Sequence, residues 1–280
     1  MLLLSTLGKL ATVVAAAIPS VEAAPAARYR SIAKRDPPPK LPACATDSDK
    51  KWQPAMDFDT DSCYNSPAIG INGVLDPGLN NCYTTGPAGC RDEGDLDNNN
   101  VYVRARCNNG WCAYIYGYYF EKDVNLEHVC GVGAGHRNDW EHVVVWVQNG
   151  TAKYVAASAH TKYHIRPIED VLLDRDTHPK IVYHRSGAQT HSFRFSKVDD
   201  DRIENHKGVW FYGDLVSYLG FSSTKLRDKM LNHNWGAAKI DFKDSRIVHE
   251  LNKAKGGKDI PLDTTFDDRI SLRVPYCAGA

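Results

Sequence analysis

After its first two dozen residues the chain has no apolar run long enough to cross a bilayer, so a helical membrane span is excluded from the remainder. It has no basic cluster either. Its 34 Lys and Arg are balanced by 34 Asp and Glu scattered along the sequence, which leaves nucleic acid without an electrostatic footprint to bind. There is no G-x-S-x-G elbow and no glycine-rich phosphate loop, which removes the common serine-hydrolase and nucleotide-binding designs. No internal repeat is present, and helical periodicity is not sustained anywhere in the first half.

What is there begins with MLLLSTLGKLATVVAAAIPSVEAA, one Lys followed by an Ala/Val-rich stretch and a small-residue site at Val21, Glu22 and Ala23. That pattern predicts a secretory signal over residues 1–23, and hence a secreted, extracellular protein. Residues 24–35 close on Lys34-Arg35 and read as a propeptide ending at a dibasic site. Residues 36–50 open on Pro37-Pro38-Pro39 and read as a spacer, with the folded chain beginning near Leu41. Residues 51–280 then suit one domain of sandwich size.

Eight cysteines in a secreted chain predict disulfides, with roughly 105 pairings open. One pair can be placed. VYVRARCNNGWCAYIYGYYF reads as two alternating strands around Asn108-Asn109-Gly110, which sets Cys107 opposite Cys112. Asn149-Gly150-Thr151 is the single glycosylation sequon and falls on a turn, which places Asn149 at the surface.

Short strand patterns separated by turn-rich segments predict an all-β protein with a few short flanking helices, a β-sandwich. Further strands are expected at residues 152–157, 181–184, 192–195 and 270–274. STKLRDKML predicts a helix with Ser223 as N-cap and Leu226, Met230 and Leu231 on one side. A second helix is expected over residues 245–253, with Ile247, Val248 and Leu251 inward. The aromatic strand Tyr114, Tyr116, Tyr118, Tyr119 and Phe120 reads as core.

The most informative stretch is GHRNDWEHVVVWV, residues 135–147. Period-2 alternation puts Asp139 and Glu141 on the face of Val143, Val145 and Val147, and Trp140 and His142 on the other face with Val144 and Trp146. Two carboxylates therefore continue an apolar face, a costly arrangement unless protons, basic partners or a metal compensate them. His136 precedes them and is free to turn inward, and Asp123 closes the preceding strand. Three carboxylates and an imidazole favour Mg²⁺ or Ca²⁺, with Mn²⁺ and Zn²⁺ as the alternatives. The other reading is a charged strand end that reaches water beside Arg137. DEGDLDNNN, residues 92–100, lacks EF-hand spacing and reads as a solvated loop. His160 and His164 have the spacing of zinc ligands on a helix, but the segment follows a strand and lacks the adjacent Glu of a zinc protease. No catalytic acid or base outside the carboxylate–imidazole group can be picked out, so a binding protein is expected rather than an enzyme.

GHRNDWE also resembles the hallmark heptapeptide of the necrosis- and ethylene-inducing-like proteins, secreted toxins of fungi, oomycetes and bacteria, whose usual form is GHRHDWE. KWQPAMDFDTDSCYNSPAI, NGWCAYIYGYYFEKD, ASAHTKY, HPKIVYH and HNWGAAKIDFKD are similar to family segments, and the resemblance spans residues 51–254. It implies a β-sandwich like that of actinoporins and fungal lectins, with a divalent cation at its tip held by Asp123, His136, Asp139 and Glu141. Asn138 and His160 would support that site. It further implies a cytolysin that binds plant glycosyl inositol phosphoceramide headgroups and perturbs the plasma membrane from outside. A monomer is expected, and the alternatives are a non-lytic lectin-like binding module and, behind both, a metal-dependent hydrolase or lyase. Asn138 departs from the family's usual second His, and the loop from Asp123 to His136 looks longer than in the simplest members.

Overall fold

The computed structural model describes residues 36–80, 86–125, 135–187 and 190–268. The signal and propeptide segments, Cys82, Cys130, Cys277 and the strand expected at residues 270–274 lie outside these. Among the described residues ten strands form two sheets: β1 (Ala55–Phe58), β2 (Asn100–Asn108), β3 (Trp111–Val124), β4 (Gly135–Gln148), β5 (Thr151–Ala159), β6 (Lys162–Pro167), β7 (Leu173–Asp174), β8 (His178–Arg185), β9 (His191–Phe195) and β10 (Asp214–Ser217). The larger sheet runs β10-β2-β3-β4-β5-β6. In the smaller one β8 pairs in parallel with β1 and antiparallel with β7 and β9.

The long hairpin of β3 and β4 is the spine of the larger sheet, and its alternation divides the core in two. Tyr114, Tyr116, Tyr118 and Phe120 join Val143, Val145 and Val147 against Phe58, Ile181, Tyr183, Phe193 and Phe195 of the smaller sheet. On the opposite face Ile115, Tyr119, Trp140, Val144 and Trp146 share a core with Met230, Leu231, Ile247 and Leu251. Both faces of β4 are thus buried, as its β-branched run predicts, and each such Val contributes about 2 kcal/mol.

The two turns that fix the register are of one kind. Asn109-Gly110 joins β2 to β3 and Asn149-Gly150 joins β4 to β5, and all four residues have positive φ, the geometry that matches strand twist in two-residue hairpins. The first sets Cys107 opposite Cys112, which form a disulfide. A second disulfide joins Cys63 to Cys90, and Cys44 is also disulfide-bonded. Asn149 is exposed at its turn.

Among the described residues the α-helices are α1 (Asp47–Lys51), α2 (Glu93–Asp97), α3 (Thr224–Asn232) and α4 (Ile247–Ala254). Ser223 caps α3 by accepting the Leu226 amide at 3.1 Å, and Met230 and Leu231 are buried beneath it. α4 buries Ile247 and Leu251 as expected. α1 and α2 escape a periodicity search because five residues do not complete two turns.

DEGDLDNNN is not a solvated loop. Asp95 accepts the Asp92 amide at 2.9 Å to close a capped helical turn, and the three asparagines that follow hold backbone. Asn98 accepts Lys40 N–H at 2.8 Å, and Asn100 takes Leu41 N–H at 2.7 Å while donating to its carbonyl at 3.0 Å. The proline segment expected to be a spacer is therefore packed, with Pro37 and Pro38 buried. Side-chain amides supply the hydrogen bonds that an irregular proline-rich strap cannot make to itself.

Candidate functional site

The site lies where β3 and β4 run past the end of β5. Their ladder is regular from Trp111↔Gln148 to Phe120↔Asp139 and resumes at Lys122↔Arg137, with no pairing at Glu121 and Asn138. Asn138 is left-handed there, with φ 60°, a conformation that Asn tolerates far better than branched residues. Its amide oxygen accepts the buried Tyr119 hydroxyl at 2.7 Å. The interruption resets the alternation, so that Asp123 and His136, paired across the ladder, join Asp139 on the inner face. One ligand atom from each of these three lies within 4.8 Å of the other two.

Each member is held by a neighbour. The Nδ1–H of His136 donates to the Asn138 carbonyl at 2.7 Å, since that oxygen can only accept. That tautomer leaves the Nε2 lone pair available, 3.9 Å from Asp123 Oδ2, which is how second-sphere carbonyls prepare imidazole ligands. Asp139 accepts the Tyr183 hydroxyl at 2.9 Å from β8. Asp123 takes both the backbone N–H and the ring Nδ1–H of His191, at 2.9 and 2.8 Å. Its other oxygen, Oδ2, is buried with no hydrogen-bond partner among the described residues. A buried carboxylate oxygen without a donor, facing an imidazole lone pair and a second carboxylate, fits a hard divalent cation with ligand distances of about 2.0–2.6 Å.

Glu141 stands two residues further along β4. Its carboxylate is engaged by the Ser158 hydroxyl, which itself accepts His142 N–H at 2.7 Å. It lines the same cavity without belonging to the group of three. His160 is exposed at the β5–β6 turn with φ 57°, its Nδ1 3.5 Å from Thr190 Oγ1. His164 lies on β6, so the two do not share a helix face.

Sequence reasoning missed His191, Tyr183 and Ser158. A signal existed for the first, because alternation puts His191 on the face of Phe193 and Phe195. Burial alone would lower its pKa, but Asp123 and Asp61 outweigh that and raise it to about 9, so an imidazolium faces the cluster at neutral pH.

Burial pushes Asp139 up from 3.8 to about 7, the Asp123 charge adding to the rise while His136 and Tyr183 oppose it. Burial next to Asp139 raises Glu141 as well. A folded-state pKa above the unfolded one contributes stability that is complete below pH 3.8 and lost as pH rises through about 7. The chelated protein should therefore lose Tm between about pH 4 and pH 7 on this account, while affinity for an added cation rises over the upper part of that range as protons leave the carboxylates. Thermal melts with chelator and with Mg²⁺, and calorimetry at pH 6 in buffers of different ionisation enthalpy, would check both signs.

A cavity of about 490 Å³ opens from the cluster past Glu141 and Ser158 to α4. Among the described residues no helix is long and apolar enough to cross a membrane.

Residues 46–254 match the family model described as necrosis inducing protein (NPP1). The chain is 29% identical to the necrosis-inducing protein NPP1 of Phytophthora nicotianae over 210 residues, 73% of this chain and 80% of that one. Its fold superposes with a TM-score of 0.64 on necrosis and ethylene inducing protein 2 from the agent of cocoa's witches' broom disease, at 28% identity, covering 78% of this chain and 94% of that one. It also superposes on NLPPya in complex with mannosamine, with a TM-score of 0.63 at 25% identity, covering 78% and 95% of the two chains. The interrupted ladder that gathers Asp123, His136 and Asp139 is built by the heptapeptide itself, within a toxin fold matched over most of its length, and the chain belongs to the necrosis-inducing protein family.

Proposed function

We propose that this protein is a secreted, cation-dependent cytolysin that binds the sugar headgroups of plant glycosyl inositol phosphoceramides and perturbs the plasma membrane from outside, without catalysing a reaction. The observation that carries it is the convergence of Asp123, His136 and Asp139 at one end of an open cavity, one carboxylate oxygen buried and lacking a donor. Those three residues would hold the ion, with Glu141 next along the strand to complete the set. A bound divalent cation supplies electrophilic coordination for sugar hydroxyls. The chain orients its ligands through Asn138, Tyr183 and His191, and lines the rest of the cavity with polar groups suited to a glycan. The solved complexes of NLPPya with mannosamine and with glucosamine support a sugar as the class of ligand.

Dye release from vesicles with and without plant glycosylated sphingolipids, each with and without chelator, tests the reading. Release should need both lipid and cation. Cation-dependent binding without release would leave a lectin-like protein, and turnover of a soluble glycan would replace both by an enzyme.

A further inference from the structure

The pole of the larger sheet farthest from the cluster is built from two turns set side by side. β4 runs for 14 residues, about 45 Å at about 3.3 Å per residue, so the Asn149-Gly150 turn stands at the opposite end of the strand from His136. The backbone N–H of Asn149 donates to the Gly110 carbonyl in the β2–β3 turn at 3.0 Å and ties the two turns together.

Their asparagine side chains are used differently. Asn109 donates to the Pro261 carbonyl at 3.0 Å, and Asn108 beside it holds the Asp263 and Phe266 carbonyls at 2.8 and 2.7 Å. Asn149 makes no side-chain hydrogen bond among the described residues. Its Oδ1 lies over Gly110, 3.0 Å from where a Cβ would stand, so Nδ2, the other branch at Cγ, points away from the neighbouring turn. Asn149, Gly150 and Thr151 are all exposed, and a Cβ on Gly150 would meet nothing within 4 Å. Positive φ at both turn residues, 46° and 78°, holds Asn149 at the tip, with Thr151 paired to Gln148 behind it.

We propose that Asn149 is an N-glycosylation site, occupied in the secreted protein, on the pole opposite the cation cluster. In the transfer Nδ2 bonds to the anomeric carbon of a lipid-linked oligosaccharyl diphosphate. The bond from that carbon to the phosphate oxygen breaks, the lipid diphosphate leaves, and the amide releases one proton. Of the chain's asparagines only Asn149 has Ser or Thr two residues on. The fold adds room, because a glycan grows into solvent from a turn where nothing has to move, and distance, because a bulky hydrophilic chain there leaves the cavity uncovered and keeps that pole in water. The consequence at the membrane rests on the proposed cytolytic reading; the modification does not.

The full-length chain, secreted from a eukaryotic host, is mapped by peptide mass spectrometry. N-glycosidase treatment in heavy-oxygen water should convert Asn149 to a labelled aspartate. Thr151→Ser should keep the glycan and Thr151→Ala should abolish it. An unmodified Asn149 in the secreted protein, or a glycan that survives Thr151→Ala, would overturn the assignment. Position is read by moving the sequon to the turn at the other end of β5, which lines the cavity, with His160→Asn/Lys162→Thr in an Asn149→Gln background. His160 already has φ 57°, which Asn tolerates. Lipid-dependent dye release should be the same for the wild type before and after deglycosylation and should be lost with the moved glycan. His160→Asn alone makes no sequon and separates the glycan from the lost imidazole. Release that the Asn149 glycan abolishes, or that the moved one leaves intact, would overturn the assignment of the two poles. If no form releases dye, the cytolytic reading fails, and Mg²⁺ titration of the glycosylated and deglycosylated forms, expected to match, still tests the separation of Asn149 from the cluster.

Discussion

Replacing Asp139 by alanine should lower divalent-cation affinity by about a hundred-fold or more, given that losing even a supporting partner of a metal ligand costs up to about that much. The fold should survive. Asp139 is 6% exposed with a pKa raised to about 7, so above neutrality its ionised form is an unfavourable buried charge beside Asp123. Removing it relieves that repulsion, and leaves the Tyr183 hydroxyl without its acceptor. The two effects oppose each other, and the chelated Tm at pH 8 is expected to change little. Asp139→Asn keeps an acceptor for Tyr183 and separates them: its chelated Tm should equal or exceed that of the wild type, with cation affinity still lost. Calorimetric titration with Mg²⁺ and Ca²⁺ is the direct check, and an unchanged affinity in either variant would remove Asp139 from the ligand set. Lipid-dependent dye release should fall in step with affinity.

How much of this was legible beforehand differs from residue to residue. The placement of Asp139 and Glu141 on the face of Val143, Val145 and Val147 follows from alternation alone, and the split of β4 between two cores bears it out. The hairpin carrying Cys107 and Cys112 was legible because Asn-Gly is a local signal. His136 was harder. Strict alternation sends it away from Asp139, and what brings it back is one left-handed residue, Asn138, whose φ no hydrophobic pattern encodes. Tyr183 reaches the site from β8, in the other sheet, so no local pattern connects it to β4. Ser158 lies on β5, the hairpin neighbour of β4, and the Asn149-Gly150 turn carried the signal that places it beside Glu141 and His142. His191 could have been found by the reasoning used for Asp139, since it too is a titratable group continuing an apolar face. On α4 the apolar stripe was readable, but the burial of Glu250 depends on packing against the sheet.

Gly135→Ala should cost about 3 kcal/mol and weaken cation binding as well, because the first residue of the heptapeptide sits where no side chain fits. Gly135 has φ 113°, and a Cβ there would come within 2.2 Å of the Asp123 carbonyl oxygen and 2.9 Å of Val124 Cα. Both are backbone atoms of the partner strand, so no rotamer change makes room. The ends of β3 and β4 must separate, and that pairing, Asp123↔His136 and Val124↔Gly135, is what sets two of the three cluster members opposite each other. Gly150→Ala is the natural control. It shares a positive φ, 78°, but a Cβ there meets nothing within 4 Å, so it reports backbone strain alone, about 1 kcal/mol. Measured by denaturant unfolding in chelator, Gly135→Ala should exceed that control by about 2 kcal/mol, and with cation present the gap should widen, since the variant loses binding energy that Gly150→Ala retains. Equal losses in the two variants would mean that the strand ends absorb the methyl without parting, and that the close approach of Gly135 to Asp123 does not set the spacing of the cluster.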